Sequence, residues 1–130
     1  MREIIFEKTI TLLKTKGFAI STYLHLNNCF DIAAKKANTV FLLKILSNID
    51  ALREEQALEL RRIGFAFNAG IFAIGEKSKT YQLRDGTVYE RYGVNCLNFK
   101  TFQKVVGNEM PEIKYFKGKE TVEIDSQKLQ

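Results

Sequence analysis

The sequence predicts an α/β layer fold with a mixed β-sheet flanked by helices, and three observations support this prediction. Segments with strand character alternate with segments of helical periodicity along the 130 residues, which is typical of layered α/β domains. Residues 40–46 are almost wholly apolar, as expected for a strand buried on both faces of a sheet. A helical segment near Asp50 joins that strand to a second apolar strand at 71–75, which indicates a right-handed β-α-β crossover.

The chain begins with an amphipathic helix at residues 2–16. Apolar side chains recur there at helical spacing, and two lysines in the last turn complement the helix dipole. Gly17 follows as a C-cap. Residues 18–24 mix apolar and hydroxyl side chains and are predicted as the first strand, which a turn at 25–28 ends.

Residues 29–46 are predicted as a β-hairpin, and the rest of the chain is organised around it. The first strand ends in two lysines, residues 37–39 turn the chain, and the apolar strand returns. Asp31 lies on the first strand and Lys44 on the second. Because an unpaired buried charge is costly, we expect both side chains to be paired, hydrogen-bonded or functional. Leu42 precedes Lys44 by two residues and therefore shares its face of the strand.

The segments after the hairpin complete the predicted layers. Asp50 is predicted as the N-cap of the crossover helix, which Gly64 or Gly70 would end. Residues 87–94 alternate as a further strand at an edge of the sheet, and residues 98–106 form a short amphipathic helix.

The predicted domain organisation is one core followed by a short extension. Residues 1–110 form the α/β core. Residues 111–130 form a terminal β-hairpin with a turn at 117–119, and from residue 125 the start of a linker.

Composition limits the possible functions. The net charge is +5 and the pI about 9.2, which suits an anionic partner such as nucleic acid, although the lysines are spread along the chain. Cys29 and Cys96 are predicted as buried small hydrophobic side chains, and with His25 they form no zinc pattern; a catalytic Cys–His pair is a minor alternative. No apolar run is long enough for a membrane span, and no signal-peptide layout is present, so we expect a cytoplasmic protein.

The arrangement of Asp31, Leu42 and Lys44 resembles the core of the restriction-endonuclease-like, or PD-(D/E)xK, nucleases. In that family two strand carboxylates hold a divalent metal, and the lysine helps to place the attacking water. The resemblance implies that Asp31 matches the first acid and Lys44 the lysine, whereas Leu42 stands at the second acid. Since leucine offers no oxygen to Mg²⁺ or Mn²⁺, we expect no metal and no cofactor. Glu7 matches a first-helix glutamate that joins the metal site in some of these nucleases; a solvated helix acid is the simpler interpretation.

A more specific resemblance is to archaeal HTH-type (XRE, or Cro/C1) transcriptional regulators, which carry a nuclease-like N-terminal domain. The similarity extends from about residue 2 to Leu129. The segments that carry it are 30–33, 42–50, 74–77 and 85–94. Their most specific runs are Lys-x-x-x-Asn-Ile-Asp and Val-Tyr-Glu-Arg-Tyr-Gly. The resemblance implies DNA binding through a C-terminal helix-turn-helix domain that is absent from these residues.

Three functions follow as expectations. The first is a non-catalytic domain of a transcriptional regulator, serving homodimerisation or effector or partner binding, in which Asp31 and Lys44 pair as remnants of a nuclease site. The edge at 88–94, rich in tyrosine, is a candidate dimer surface. The alternatives are a metal-dependent DNA nuclease, in which Glu7 supplies the missing carboxylate, and a stand-alone nucleic-acid-binding module.

Overall fold

A computed structural model describes residues 1–23 and 29–107, together with the backbone of two short strands between 115 and 122. In this part of the chain the helices are α1 (Arg2–Thr15), α2 (Glu54–Ala66) and α3 (Phe99–Val106). The strands are β1 (Ala19–Thr22), β2 (Ile32–Lys36), β3 (Thr39–Ile45), β4 (Gly70–Ile74), β5 (Tyr89–Arg91), β6 (Val94–Leu97), β7 (Tyr115–Lys117) and β8 (Glu120–Val122). No helix in the described ranges has the length and apolar character of a membrane span.

One mixed sheet contains all the described strands in the order β1-β2-β3-β4-β6-β5-β7-β8. β2 and β3 pair antiparallel as the predicted hairpin. β3 and β4 pair in parallel, and α2 lies between them in the chain, which confirms the predicted β-α-β connection. The mixed α/β layer fold inferred from the sequence is therefore confirmed.

The sheet separates two apolar cores because strand side chains alternate between its faces. On one face α1 and α3 pack against alternate residues of the central strands. Members of this core are Ile5, Leu13, Ile32, Leu43, Ile45, Ile74, Leu97 and Phe102. On the other face α2 covers the intervening residues. Members of this second core are Leu42, Leu46, Leu52, Ala57, Leu60, Ala73, Val94 and Cys96.

The start of α2 differs from the prediction. Asp50 belongs to a 3-10 turn, Ile49–Ala51, whose cap is Asn48: the Asn48 side chain accepts from the Asp50 N–H at 2.8 Å. The α-helix begins only at Glu54. Leu52 lies between the turn and the helix and is fully buried. The Asp50 side chain accepts from the Lys79 N–H at 2.6 Å and lies 3.7 Å from Arg91, so it does not cap the helix.

The end of α2 was also predicted wrongly, since neither proposed glycine stops it. Gly64 lies inside the helix, and Gly70 begins β4. A Cβ atom added to Gly64 would fall 2.5 Å from Cγ2 of Ile71. Gly64 is therefore a contact point that lets α2 approach the sheet closely, which its position in the sequence does not reveal.

The predicted edge strand at 87–94 is wrong in two respects. These residues form β5 and the beginning of β6, joined by a tight turn in which Tyr92 (φ +52°) and Gly93 (φ +81°) both have positive φ. β5 is also flanked on both sides, by β6 and by β7. The backbone of β5 is thus already paired, so this strand is not a free edge of the sheet.

The remaining elements agree with expectation. Gly17 follows α1 with φ +89°, and the Asn98 side chain caps α3 by accepting from the Thr101 N–H at 2.9 Å. β7 and β8 pair antiparallel as the predicted terminal hairpin. The predicted turn at 25–28, which includes His25, and the linker from residue 125 lie outside the described residues, as do residues 118 and 119 of the predicted turn between β7 and β8.

Candidate functional site

Asp31 and Lys44 face each other across the central hairpin. Asp31 directly precedes β2, and its N–H donates to the Leu43 carbonyl at 2.7 Å, which continues the β2–β3 ladder. The pairing of Ile32 with Leu43 places Asp31 opposite Lys44. Asp31 is fully buried and Lys44 is 8% exposed. The hairpin therefore brings an acid and a base together inside the protein, as the sequence predicts.

Two hydrogen-bond donors and one further cation surround the Asp31 carboxylate. Oδ1 lies 3.0 Å from Nη2 of Arg2 and 3.6 Å from Nζ of Lys44. Oδ2 accepts from the Ile45 N–H at 2.7 Å. The Arg2 Nε also donates to the Ile45 carbonyl at 2.9 Å. Both carboxylate oxygens are thus occupied, and two cationic side chains share one of them.

Arg2 was not among the residues singled out by sequence reasoning. It is the first residue of α1, and its side chain bridges from the helix to the end of β3. The available signal was indirect. A buried carboxylate requires several hydrogen-bond donors, and the sequence suggested Lys44 alone as its partner. Nothing in the local sequence around Arg2 indicates that its guanidinium reaches this acid.

Leu42, which the resemblance matches to the second acid, is part of the apolar core. It is 5% exposed and packs among the residues beneath α2. A carboxylate at this position would have to be desolvated without a metal or a donor, which is costly. The site therefore offers an apolar wall where the resemblance implies a metal ligand.

Glu7 lies elsewhere on α1. It is exposed and lines a groove of about 520 Å³ between α1 and α3, together with Lys8, Phe99 and Gln103. That groove includes neither Asp31 nor Lys44. Five residues along a helix also rotate a side chain by roughly 140°, so Glu7 and Arg2 leave α1 in different directions.

The donor set at Asp31 does not fit a divalent metal. Mg²⁺ and Mn²⁺ are bound through several oxygen ligands, chiefly carboxylates. Asp31 shares its oxygens with two cations, and Leu42 supplies no oxygen. Among the described residues no group of three or more His, Cys, Asp or Glu side chains is arranged to hold a metal. A further cation here would meet the positive charges of Arg2 and Lys44 at short range.

Both cysteines are free in the structure and behave as apolar side chains. Cys96 is fully buried in the core beneath α2, and Cys29 packs at the border of the same core. Burial raises the pKa of the Cys96 thiol to about 12 and also raises the pKa of Cys29. A nucleophilic thiolate is therefore disfavoured at both positions near neutral pH.

A second concave region lies beside the 3-10 turn. It measures about 590 Å³, and its lining includes Asp50, Tyr81, Arg91 and Tyr92. Asp50 accepts from the Lys79 N–H at 2.6 Å, and Arg91 donates to the carbonyls of Leu52 and Asp50 at 3.0 and 3.1 Å. These bonds hold the floor of the groove, while the two tyrosines are each 43% exposed.

The sequence was compared with protein-family models and with known proteins. The model of the PD-(D/E)XK superfamily domain matches residues 2–111. Relatives from Methanococcus maripaludis strain C6, Methanocella arvoryzae and Methanocaldococcus jannaschii bear the name HTH-type transcriptional regulatory protein. They are 39%, 36% and 33% identical over 125, 130 and 129 residues, covering 96%, 98% and 99% of this chain. The chain spans only 38–40% of the length of these relatives.

Proposed function

This chain belongs to the PD-(D/E)XK superfamily, and from that membership we propose that it is a non-catalytic member, a regulatory domain of a DNA-binding transcriptional regulator. In this role it serves assembly, or binding of an effector or partner, and does not cleave phosphodiesters. Contact with DNA is made by another part of the longer protein, as the names of the relatives suggest. The groove beside Asp50 is the described region best suited to an effector, because it is concave and partly aromatic.

One observation carries this proposal: the Asp31 carboxylate is already neutralised by side chains of the protein. In a metal-dependent nuclease a carboxylate of this kind would hold the ion that polarises the phosphate and activates water. Here Arg2 lies 3.0 Å from Oδ1 of Asp31, Lys44 lies 3.6 Å from the same oxygen, and Leu42 closes the neighbouring position. The cluster is therefore an internal ion pair in place of a metal centre.

A cleavage assay tests the loss of catalysis. The purified chain is incubated with supercoiled, linear, branched and single-stranded DNA in Mg²⁺ or Mn²⁺, beside Lys44→Ala and Glu7→Gln. We expect no cleavage by any of the three proteins, because within residues 1–23 and 29–107 no group of three or more His, Cys, Asp or Glu side chains is arranged to hold the metal that cleavage requires. Metal-dependent cutting that Lys44→Ala abolishes would overturn the proposal. Its loss in Glu7→Gln as well would favour the nuclease alternative, with Glu7 as the metal ligand.

Metal titration tests the role of Arg2 directly. The free Mn²⁺ concentration is followed by electron paramagnetic resonance in the presence of wild type, Leu42→Glu and the double variant Leu42→Glu/Arg2→Ala. We expect the double variant to bind Mn²⁺ at least tenfold more tightly than Leu42→Glu, because removing the guanidinium takes away one of the two cations that share Oδ1 of Asp31 and leaves only the more distant Lys44 there. Wild type should not bind.

The matched control is Leu42→Gln/Arg2→Ala, which has nearly the same shape as the double variant without the new charge. Circular dichroism checks that each variant is folded. Equal Mn²⁺ affinity of Leu42→Glu and the double variant would show that Arg2 does not exclude the metal, and binding by wild type would refute the proposal.

A further inference from the structure

The outer surface of α2 carries an exposed stripe that no described element covers. Its members are Glu54, Glu55, Leu58, Arg61, Arg62 and Phe65, all exposed. At 3.6 residues per turn these six side chains fall within roughly one third of the helix circumference. Leu58 is 43% exposed and Phe65 is 92% exposed. Large apolar side chains grouped in this way mark interaction surfaces more often than isolated ones do.

Charge is divided along this stripe. The acids Glu54 and Glu55 lie in the first turn, and the bases Arg61 and Arg62 lie in the second half of the helix. Glu55 is 3.7 Å from Nε of Arg53, but both side chains are largely exposed, so this ion pair is weak. The arginines also line an open groove of about 860 Å³ that Phe65 and Gly93 border. The stripe therefore has a negative end, Leu58 at its centre, and a positive end that Phe65 extends.

Such a stripe is complementary to itself when two copies meet in antiparallel orientation about a two-fold axis. Glu54 and Arg62 lie four residues to either side of Leu58, and Glu55 and Arg61 lie three residues to either side. With Leu58 at the axis, each glutamate of one copy faces an arginine of the other, and both contacts occur twice. Leu58 then packs on Leu58 of the second copy, and Phe65 covers the residues that precede α2 there.

We infer that this stripe is a homodimer interface formed by two antiparallel α2 helices centred on Leu58. The inference rests on the proposed function, to which it adds the assembly surface. The acidic half argues against nucleic acid as the occupant, since phosphates would be repelled by Glu54 and Glu55. A helix of 13 residues spans about 20 Å, so the interface is smaller than the standard size of about 1,600 Å². The dimer should accordingly be weak and concentration-dependent.

Charge reversal tests the proposed register. Sedimentation equilibrium of the 130-residue chain is measured from low micromolar to several hundred micromolar for wild type, Arg61→Glu/Arg62→Glu and Glu54→Arg/Glu55→Arg. We expect wild type to dimerise and each double variant to dimerise at least tenfold more weakly, because like charges then meet. An equimolar mixture of the two variants should associate again, since every facing pair is then opposite in sign.

Two further proteins separate surface charge from register. Lys14→Glu/Lys16→Glu, at the end of α1, changes the net charge by the same amount as Arg61→Glu/Arg62→Glu and should leave the dimer unchanged. Phe65→Ser should weaken it, and circular dichroism confirms that all variants fold. A wild-type mass that stays monomeric at every concentration would overturn the inference, as would a mixture that fails to associate. Charge reversals that reduce DNA binding while the protein stays monomeric would also overturn it and favour a nucleic-acid surface.

The outcomes also separate this inference from the proposed function. A monomeric chain that neither cuts DNA nor binds Mn²⁺ overturns the dimer interface and leaves the non-catalytic role in place. A dimeric chain that cuts DNA overturns the non-catalytic role and leaves the interface in place.

Discussion

Two hydrogen-bond donors and one further cation converge on the Asp31 carboxylate, and they come from two separate parts of the chain. Arg2 belongs to α1, while Lys44 and the Ile45 N–H belong to β3. The hydrogen bonds from Arg2 and from the Ile45 N–H are charge-assisted, and such bonds contribute more than neutral ones when water is excluded. Lys44 adds an ion pair at 3.6 Å. The cluster therefore ties the first helix to the central hairpin, and its contribution depends on all the charges remaining together.

Removing the acid should destabilise the protein strongly. Asp31→Ala leaves the buried Lys44 and the half-buried Arg2 without their shared anion, so we expect a loss of about 3–5 kcal/mol, the usual cost of breaking a buried pair. Urea unfolding followed by circular dichroism measures this change.

The matched comparison for Asp31→Ala is Arg2→Ala. The Arg2 side chain is 34% exposed, and its removal leaves Lys44 with its partner. We expect a smaller loss, of about 1–2 kcal/mol. Equal losses in the two variants, or a loss below about 1 kcal/mol for Asp31→Ala, would contradict the interpretation of the cluster as a structural ion pair.

At the scale of elements, the turn between β5 and β6 allows these two strands to pair antiparallel. Both turn residues, Tyr92 and Gly93, have positive φ, which is the requirement of the two-residue turns that match the twist of a β-hairpin. Glycine adopts this conformation freely, whereas tyrosine does not. The Arg61 side chain lies against Gly93, so the turn also contacts α2.

Gly93→Ala should therefore be destabilising, by about 1–2 kcal/mol, because alanine is strained at φ +81°. An added Cβ would also come within 2.9 Å of Arg61 atoms, but that flexible side chain can move away. Thermal unfolding of Gly93→Ala and of Gly93→Ala/Arg61→Ala, each against its own Gly93 parent, separates the two causes. A destabilisation that disappears in the Arg61→Ala background would show that crowding, and not backbone strain, is responsible.

Most element positions follow from periodicity, and the errors have local physical causes. The sequence pattern correctly indicated α1, the β2–β3 hairpin, β4 and α3. Each of these elements has a regular spacing of apolar residues, a continuous apolar run or a clear capping residue. It missed the β5–β6 turn because tyrosine is an unusual first residue for such a turn. It misplaced the start of α2 because Asp50 serves the 3-10 turn, Lys79 and Arg91 instead of capping the helix.

At the scale of the whole molecule, one sheet holds two cores, and Cys96 lies at the centre of one of them. It is fully buried on β6 among the residues that α2 covers. Global unfolding exposes the thiol to water, where its pKa returns to about 8.5. The ionisation of this thiol is therefore coupled to global unfolding, and it makes the free energy of unfolding depend on pH.

Alkaline pH should destabilise the protein through Cys96. The folded-state pKa is raised to about 12, so between the two pKa values the folded protein retains a proton that the unfolded chain loses. The stabilising contribution is complete below about pH 8.5 and falls by about 1.4 kcal/mol per pH unit as the pH rises towards the folded value. Urea midpoints at pH 8 to 10.5 measure this slope.

Cys96→Ala provides the control, because tyrosines and lysines titrate equally in both proteins. Its absolute stability will be lower, since a buried side chain is truncated, and the comparison is therefore made between slopes. Parallel slopes for wild type and Cys96→Ala would contradict a strongly raised thiol pKa.

The sequence by itself determined the alternation of helices and strands, the mixed sheet, and the identity of Asp31, Leu42 and Lys44 as the residues of interest. These properties depend on apolar periodicity and on residue chemistry, both of which can be recognised from residues that are close together in the sequence. Only the tertiary structure decided that Arg2 joins the charge cluster, that Glu7 lines a separate groove, and that no element in the described part of the chain covers the stripe on α2. Each of these depends on which distant segments meet in space, because burial and ion pairing arise only when the layers pack together.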